Sequence, residues 1–349
     1  MTLKVIIDGD SIPYSVGFAA KGEPLNYALQ TVKNSLNKIL SETGAQESEL
    51  YMKGEGNFRE AVAVTQTYKG NRKQEKPPHF NEIVEYMHNQ HKAIKVDGME
   101  ADDKLSLLLY EDYVKAHGVK EECTLILSTI DKDLNCTPGW HHNPRTGAIT
   151  FIGAVAAMRF FWWQMLVGDR VDNIPGLPDL PKAFTDRFGI RRGSKGGVGP
   201  KTATRLLEQT HSAEAAEGMV WEAYLAWGHS EGFTDTAVKT YFLEQAQLLW
   251  MVRELDTFGD PVMYQINEEL YERARRRSPY STDNLAYGKG GQGGQQGDSG
   301  AQAAPDGYSS YSSSGGSGLA VGDNRDGRKS DDSDKHGESL RIQPVPSNS

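Results

Sequence analysis

Short apolar runs in the first half of the chain end at acidic residues. Residues 3–7 form one run that ends at Asp8, and residues 124–128 form another that ends shortly before Asp131. Runs of this length predict buried strands. Both acids are therefore expected at the carboxyl end of a strand.

Apolar residues at helical spacing separate these two strands. They predict a helix whose first turn carries Asp102 and Asp103, where the helix dipole favours negative charge. The residues that set this pattern are Leu105, Leu108, Leu109 and Tyr113. Strands that alternate with helices predict an α/β fold with a mainly parallel sheet, whose sites form beyond the carboxyl ends of the strands.

The second half of the chain has a helical character. An apolar helix is predicted over residues 155–167, and Pro200 is expected at the first position of a helix that runs through Glu208. Further helices are predicted over residues 213–227 and 236–253. Residues 281–349 are rich in Gly, Ser, Gln and Asp, and this composition predicts a disordered tail.

Composition excludes several classes of protein. With 349 residues the chain is long enough for a large buried core, and it has no signal-peptide pattern and no apolar run of membrane-spanning length. A cytoplasmic protein is therefore expected. Cys123 and Cys136 cannot form a disulfide framework, and with His141 and His142 they lack the paired spacing of a zinc site, so structural roles are favoured.

The net charge of −9 is unevenly distributed. Residues 53–76 hold six basic and three acidic groups, and residues 182–205 hold seven basic groups and one acidic group. Nine carboxylates lie in four clusters: Asp8 and Asp10; Glu100, Asp102 and Asp103; Asp131 and Asp133; Asp169 and Asp172. Bound divalent cations would offset much of this acid.

The clustered carboxylates predict a metal centre. Mg²⁺ and Mn²⁺ prefer oxygen ligands, and two ions about 4 Å apart can activate water and stabilise a leaving oxygen in phosphodiester hydrolysis. Any single cluster is better explained by solvated acids and helix caps. The full set is not, since close carboxylates repel each other by a few kcal/mol at an effective dielectric constant of about 20.

A second enzyme class fits part of the same pattern. Asp8-Gly9-Asp10-Ser11 after an apolar strand resembles the nucleophile motif of haloacid-dehalogenase-type phosphatases, and residues 168–172 resemble their late magnesium-binding motif. Asp8 would then be a covalent nucleophile. This alternative leaves Glu100-Ala101-Asp102-Asp103 and the glycine-rich segment near residue 199 without a role.

Two further segments are suited to nucleic acid. Gly197 and Gly199 let the backbone approach a phosphate at the start of a helix on which Lys201 and Arg205 share one face. An ordinary glycine-rich turn is the plainer explanation, but the nearby Asn-Ile-Pro-Gly motif at 173–176 favours DNA. Residues 58–73 mix aromatic and basic side chains, as single-strand binding requires.

Taken in order, these motifs resemble the flap endonuclease and 5′-to-3′ exonuclease family, and most of all the stand-alone exonucleases of bacteriophages. The likeness covers residues 3 to about 210 and extends more loosely to about 255. The matching motifs are Asp8-Gly9, Asn57-Phe58-Arg59, Tyr68-Lys69-Gly70-Asn71-Arg72, Glu100-Ala101-Asp102-Asp103, Ser128-Thr129, Asp131-Lys132-Asp133-Leu134, Gly168-Asp169 with Asp172-Asn173-Ile174-Pro175-Gly176, and Gly199-Pro200-Lys201. The phage likeness also rests on Glu244-Gln245-Ala246-Gln247.

The resemblance implies an architecture. It places a PIN-like nuclease domain over residues 1–153, with a helical arch at about 55–92. A helical DNA-binding region would follow over 154–280, with a helix-three-turn-helix motif at about 160–210. The implied protein is a monomer in the cytoplasm, of a host cell if phage-encoded. It acts on DNA, and its tail is either a segment that recruits a replication protein or only a solubility extension.

The resemblance also implies roles for single residues. Two Mg²⁺ or Mn²⁺ ions would be held, directly or through water, by Asp8, Glu100, Asp102, Asp103, Asp131, Asp133, Asp169 and Asp172. Lys69 and Arg72 would contact the scissile phosphate, and Tyr68 would stack on a nucleotide. The other expected DNA contacts are Arg59, Lys73, Gly197, Gly199, Lys201 and Arg205.

Several positions depart from the family pattern. After the second strand the family usually carries an aspartate ligand, which here is either missing or replaced by Glu55, and Ile130 replaces a small residue. Residues 177–196 form a long basic insertion that includes Arg191 and Arg192. Asp10 either binds metal or orients a ligand or water, and core packing is favoured over base stacking for Phe160-Phe161-Trp162-Trp163.

The motifs together predict a metal-dependent 5′-to-3′ exonuclease on duplex DNA. Cutting of 5′ flaps and removal of RNA primers stay open, as does the balance between exonuclease and flap activity. A DNA-structure-binding protein without catalysis is the alternative from another class, and the retained acids argue against it.

Overall fold

The protein was analysed as a computed structural model that describes residues 2–73, 75–190 and 197–277. The predicted disordered tail at 281–349 and the arginine pair at 191 and 192 lie outside these residues. None of the described helices is long and apolar enough to span a membrane.

A six-stranded sheet forms the centre of the first half. Its strands, in chain order, are β1 (Lys4–Asp8), β2 (Glu47–Lys53), β3 (Ile94–Val96), β4 (Leu125–Ser128), β5 (Gly139–Asn143) and β6 (Ala148–Ile152). The spatial order is β3-β2-β1-β4-β5-β6, with parallel pairing from β3 through β5 and an antiparallel last pair. The predicted α/β fold with a mainly parallel sheet is confirmed.

The sheet is covered by helices on both faces. Its flanking helices are α1 (Ser11–Ala19), α2 (Leu25–Thr43), α4 (Phe80–His91) and α5 (Ala101–Lys115), and the short helix α3 (Arg59–Val62) is bonded instead to the residues at the end of the later helix that closes at Leu249. Because side chains alternate along a strand, Val5 and Ile7 of β1 join the core under α1, α2 and α4, whereas Ile6 joins the core that includes α5.

The second half is helical. Its helices are α6 (Ala154–Val167), α7 (Lys182–Arg187), α8 (Pro200–Leu207), α9 (Ala213–Ser230), α10 (Asp235–Leu249) and α11 (Glu268–Arg277). One hydrophobic core joins Ile6 and Leu127 of the sheet to Phe161 and Trp162 of α6 and Trp221 of α9. The helical region therefore packs on the sheet as part of the same described unit.

The structure departs from the predicted elements in three places. Strands β5 and β6 were not predicted. The sequence of β5, Gly-Trp-His-His-Asn, has no apolar run, and β6 is largely apolar but mostly exposed. Helix α10 ends at Leu249 instead of continuing to 253. In the predicted arch, helical structure is confined to α3 and α4, and the described residues between Ala63 and His79 contain no helix.

Candidate metal centre

The carboxyl ends of β1 and β4 bring Asp8 and Asp131 together through one hydroxyl group. Asp8 is the last residue of β1 and is buried. The Thr129 hydroxyl donates to Asp8 Oδ2 at 3.0 Å and accepts from the Asp131 backbone N–H at 2.9 Å. Parallel strands end at one edge of the sheet, so acids that are 123 positions apart in the chain share a neighbour there. Thr129 was not among the predicted site residues.

Helix α5 contributes the next acids at its amino end. Glu100 is its N-cap residue, and Asp102 and Asp103 lie in its first turn. Burial raises the pKa of Asp102 well above its usual value, and repulsion from Asp8, Asp131, Glu100 and Asp10 adds to the shift. The helix thus brings Asp102 to the edge that carries Asp8 and Asp131.

The pKa shifts reveal uncompensated negative charge. Burial, followed by repulsion from Asp10, raises the pKa of Asp8 to about 7. Burial also raises the pKa of Asp131, which is further repelled by Asp172 and Asp169. We call Asp8, Asp102 and Asp131 the unpaired carboxylates, because no described Lys, Arg or His forms an ion pair with them.

Glu100 and Asp172 have cationic partners. The Lys69 ammonium group forms an ion pair with Glu100 and lies 3.6 Å from Asp172 Oδ2. Arg72 pairs with the other oxygen of Asp172. The Tyr68 hydroxyl donates to Glu100 Oε2 at 2.9 Å and to Asp172 Oδ2 at 2.8 Å, and the pKa of Tyr68 is raised, chiefly through burial. The segment that carries Tyr68, Lys69 and Arg72, which is predicted to contact the scissile phosphate, is therefore bonded to two carboxylates.

A third cation, Lys132, joins another pair of acids. Its ammonium group lies 3.0 Å from Asp133 Oδ1 and 2.7 Å from Asp169 Oδ2. Gln164 of α6 donates to the same Asp133 oxygen at 2.7 Å. Burial and repulsion from Asp131 and Asp169 nevertheless raise the pKa of Asp133 to about 7. Neither Lys132 nor Gln164 was predicted as a site residue, although Lys132 lies between two predicted ligands.

Asp169 and Asp172 lie on a tight hairpin between Gly168 and Gly176. Asp169 and Ile174 exchange backbone hydrogen bonds, and Asp169 Oδ1 accepts from the Val171 N–H at 2.7 Å. A Cβ atom on Gly176 would lie 2.3 Å from the Gly168 nitrogen, and both glycines have positive φ angles. These close backbone contacts explain the need for glycine at both ends of the hairpin.

The structure corrects the predicted roles of Arg59 and Asp103. The Arg59 side chain is 1% exposed, and its guanidinium binds both oxygens of Asp103 and the backbone carbonyls of Leu248 and Trp250. Arg59 is therefore not available to contact DNA. Asp103 also accepts from the backbone N–H groups of Glu100 and Val252, so its oxygens serve the helix cap and the ion pair instead of a metal ion.

The predicted replacement ligand Glu55 lies away from the acids. Its side chain is 90% exposed and pairs with Lys95 of β3 at 3.2 Å. Asp10, in contrast, accepts from the Lys53 N–H at 2.9 Å, and burial raises its pKa, with repulsion from Glu100 adding to the shift. Asp10 therefore lies within the electrostatic reach of the cluster and also holds the end of β2.

The donor set is suited to a hard divalent cation. Among the described residues, no three Asp, Glu, His or Cys side chains are arranged to enclose a metal ion by themselves. Mg²⁺ commonly takes only one or two protein carboxylates and completes its shell with water and substrate phosphate. Buried carboxylates without cationic partners provide the oxygen atoms and the negative charge that such an ion requires.

The predicted DNA contacts outside the carboxylate edge are accessible. Gly197, Gly199, Lys201 and Arg205 are exposed, and Gly199 is the N-cap of α8 with no side-chain cap for the first N–H groups. Lys73 is also exposed. Free N–H groups at a helix start can bind phosphate. These positions are geometrically open to DNA, whereas Arg59 is not.

The aromatic run of α6 divides between the core and the surface. Phe161 and Trp162 are fully buried, which confirms core packing for them. Phe160 and Trp163 are half-buried and stack on each other with ring centroids 5.7 Å apart. Trp163 donates to Thr204 Oγ1 of α8 at 3.2 Å, so this ring holds the start of α8.

The cysteines and histidines lie apart from the acids. Cys123 and Cys136 are buried free thiols. His141 contacts the Thr137 carbonyl at 2.9 Å, and His142 bridges Ser128 and Glu42. These contacts give the histidines structural partners within the sheet region.

Comparisons with known proteins find distant likenesses in structure. No protein family model and no curated protein matches the chain. A bacteriophage T5 5′-exonuclease with bound zinc ions is 15% identical, with a TM-score of 0.40, over 72% of this chain and 100% of that chain. A bacteriophage T5 flap endonuclease in a pseudo-enzyme-product complex with DNA and metal ions is 14% identical, with a TM-score of 0.37, over 70% and 99%. A likeness this distant assigns no activity to the present chain.

Proposed function

We propose that this protein is a divalent-metal-dependent nuclease that removes nucleotides from the 5′ ends of duplex DNA. The observation that carries the proposal is the set of unpaired carboxylates beside Lys69 and Arg72 at one edge of the sheet. Cleavage of 5′ flaps and of RNA primers belongs to the same proposal, since the same chemistry would act on those substrates.

In this proposal Asp8, Asp102 and Asp131 hold the metal, directly or through water. Mg²⁺ or Mn²⁺ bound there would supply Lewis acidity and positive charge for phosphodiester hydrolysis. The oxygen-lined edge is completed by Asp133, Asp169, Glu100 and Asp172. Their present partners, Lys132, Lys69 and Arg72, would give up these ion pairs when the metal ions and the substrate phosphate bind.

Lys69 and Arg72 have a direct electrostatic role. Both are charged and sit on the carboxylate edge, with Arg72 about half exposed. A cation fixed beside the reacting phosphate stabilises charge that develops in the transition state, and loss of one such group typically costs about 10²–10³ in rate. Tyr68, whose hydroxyl is bound to Glu100 and Asp172 and whose ring packs against the hydrophobic core, orients this segment.

The exposed start of α8 supplies the second DNA contact. Its N–H groups, Lys201 and Arg205 would bind backbone phosphates, which fixes the position of the duplex without reading its sequence. This surface lies outside the acidic edge, so a protein with a net charge of −9 can still hold a polyanion.

The phosphatase alternative is less well supported. It requires substrate access to Asp8, which is 5% exposed and already accepts from Thr129 and Asp10. It also gives no role to Asp102 or to the cations beside Glu100 and Asp172.

Duplex, nicked, 5′-flap and RNA–DNA substrates, labelled at either end, test the proposal with Mg²⁺ and with EDTA. We expect Mg²⁺-dependent release of short products from the 5′ label and no cleavage in EDTA. An Asp131→Ala preparation purified in parallel controls for contaminating nucleases. Equal cleavage by that variant, or turnover only of a small phosphomonoester, would contradict the proposal.

A further inference from the structure

Helix α10 carries a buried carboxylate that binds only backbone and hydroxyl donors. Glu244 is 9% exposed, and its Oε1 atom accepts from the N–H groups of Val64 at 2.7 Å and Thr65 at 2.6 Å. Its Oε2 atom accepts from the Thr65 hydroxyl. Among the described residues, no cation forms an ion pair with Glu244.

These hydrogen bonds hold residues 64 and 65, between Ala63 and Tyr68, which pack against the hydrophobic core. Val64 is 80% exposed, so packing of its side chain does not fix its position. Hydrogen bonds to an ionised acceptor are about twice as strong as neutral ones, and burying a carboxylate is costly unless such bonds compensate. Glu244 therefore acts as an anchor for residues 64 and 65.

The anchored segment leads directly to the cationic residues of the site. Tyr68 and Lys69 follow Thr65 by three and four positions, with no helix between them. At its far end the segment is bonded to the Gly168–Gly176 hairpin, through the Lys69 N–H to the Asp172 carbonyl at 2.9 Å and the Asn173 side chain to the Thr67 carbonyl at 2.9 Å.

The same helix also holds that hairpin. Gln245 Oε1 accepts from the Gly176 N–H at 3.1 Å, and the Tyr241 hydroxyl donates to the Gly176 carbonyl at 2.8 Å. Both side chains are buried. Helix α10 therefore fixes the segment that carries Lys69 and the hairpin that carries Asp172 relative to each other.

We propose that Glu244 is a positioning residue that acts through Val64 and Thr65 to hold Tyr68 and Lys69 over Glu100 and Asp172. Gln245 and Tyr241 perform the corresponding task for the hairpin. Glu244 touches neither the substrate nor the reacting atoms. The inference rests on the proposed nuclease function, in which a displacement of about 1 Å can lower the rate by about 10².

The test compares Glu244→Ala, Glu244→Gln and the control Gln247→Ala, which lies on the same helix. The amide of Glu244→Gln keeps an oxygen for the two N–H groups, and the Thr65 hydroxyl can turn to accept from its NH₂ group. We expect kcat to fall about 30-fold in Glu244→Ala and less than about 3-fold in Glu244→Gln. Affinity for DNA in EDTA and KM should stay within about 2-fold.

Hydrogen exchange provides a readout that does not depend on activity. The Val64 and Thr65 amides should exchange at least about 10-fold faster in Glu244→Ala, and exchange in Gln247→Ala should match the wild type. Thr65→Val keeps both N–H bonds and is a milder variant, so a smaller loss of kcat is expected. It provides the test if Glu244→Ala does not fold.

Two results would overturn the inference. One is wild-type exchange at residues 64 and 65 in Glu244→Ala, and the other is an unchanged kcat in Glu244→Ala and Thr65→Val. Absence of Mg²⁺-dependent cleavage by the wild type would instead refute the proposed function, and the exchange result would then decide whether the anchor exists.

Discussion

The carboxylates of this protein fall into two regions with opposite electrostatic arrangements. In the first, the unpaired carboxylates Asp8, Asp102 and Asp131 have no cationic partner among the described residues, and their pKa values are raised. In the second, Glu100 has a lowered pKa, mainly because Lys69 and Arg59 offset its burial. The acids of the second region are therefore neutralised by the protein itself, whereas the charge of the unpaired carboxylates is left for the external cation that we propose.

The cations of the second region also differ among themselves. Arg59 is buried with Asp103, while Arg72 and Lys132 are each about half exposed on their acids. A buried ion pair is a fixed part of the fold, since removing one partner leaves the other charge buried and unpaired. In the proposed function, the exposed cations instead exchange with metal and substrate.

The largest expected effect comes from the unpaired carboxylates. Asp131→Ala or Asp102→Ala should lower DNA cleavage by about 10³-fold or more, because several kcal/mol of metal-dependent transition-state stabilisation are lost. Rates from 5′-labelled duplex measure this, and DNA affinity should stay largely intact. Glu55→Ala, at an exposed position outside the cluster, is the matched control. Full activity in either aspartate variant would contradict the assignment of these residues to the metal centre.

Arg59→Met should cause the largest loss of stability. It leaves Asp103 buried without its partner, and such changes cost about 3–5 kcal/mol. Urea denaturation measures the free energy of unfolding. Arg72→Met, which breaks a half-exposed pair, should cost less than about 1 kcal/mol. Equal losses in the two variants would show that the distinction between fixed and exchangeable cations is wrong.

Much of the fold followed from the sequence, and the pairing of its cations did not. Apolar runs ending at Asp8 and near Asp131 were sufficient to place both acids at strand ends, because parallel strands end at a common edge. Arg59 pairs with an acid 44 positions away, Lys132 joins its neighbour Asp133 to an acid 37 positions away, and Glu244 binds N–H groups 179 and 180 positions away. No local pattern encodes such contacts. Arg59 in particular is of a residue type that often contacts DNA, but the fold buries it in the core.

Lys132→Ala should change the metal requirement. The substitution removes the cation that competes for Asp133 and Asp169, so the Mg²⁺ concentration that gives half-maximal cleavage should fall by about 3- to 10-fold, equivalent to about 1 kcal/mol. The melting temperature in EDTA should fall as well. Lys115→Ala, on an exposed part of α5, is the control. A higher Mg²⁺ requirement in Lys132→Ala would mean that Lys132 assists metal binding instead of competing with it.

The smallest expected effect is a pH dependence of stability without metal. The pKa of Asp8 rises from 3.8 in the unfolded chain to about 7 in the fold, and that of Asp133 shifts in the same way. The folded protein therefore holds protons that the unfolded chain releases, and the free energy of unfolding contributed by these groups falls as pH rises from about 4 to about 7.

Asp8→Asn should weaken that dependence. In EDTA at pH 8 its melting temperature should exceed that of the wild type by about 2–4 °C, the shift expected for about 1 kcal/mol. The introduced amide can keep the bond from the Asp10 N–H, and the Thr129 hydroxyl can turn to accept from the amide NH₂ group. Thermal denaturation between pH 4 and pH 8 provides the comparison. Identical curves for the two proteins would contradict the raised pKa of Asp8.

Calorimetric titration with Mn²⁺ tests the central claim most directly, because it measures the binding of the external cation that we propose for the unpaired carboxylates. The wild type at pH 7.5 should bind Mn²⁺, the double variant Asp8→Asn/Asp131→Asn should lose that binding, and Lys115→Ala should retain it. Undetectable binding by the wild type, or unchanged binding by the double variant, would contradict the account.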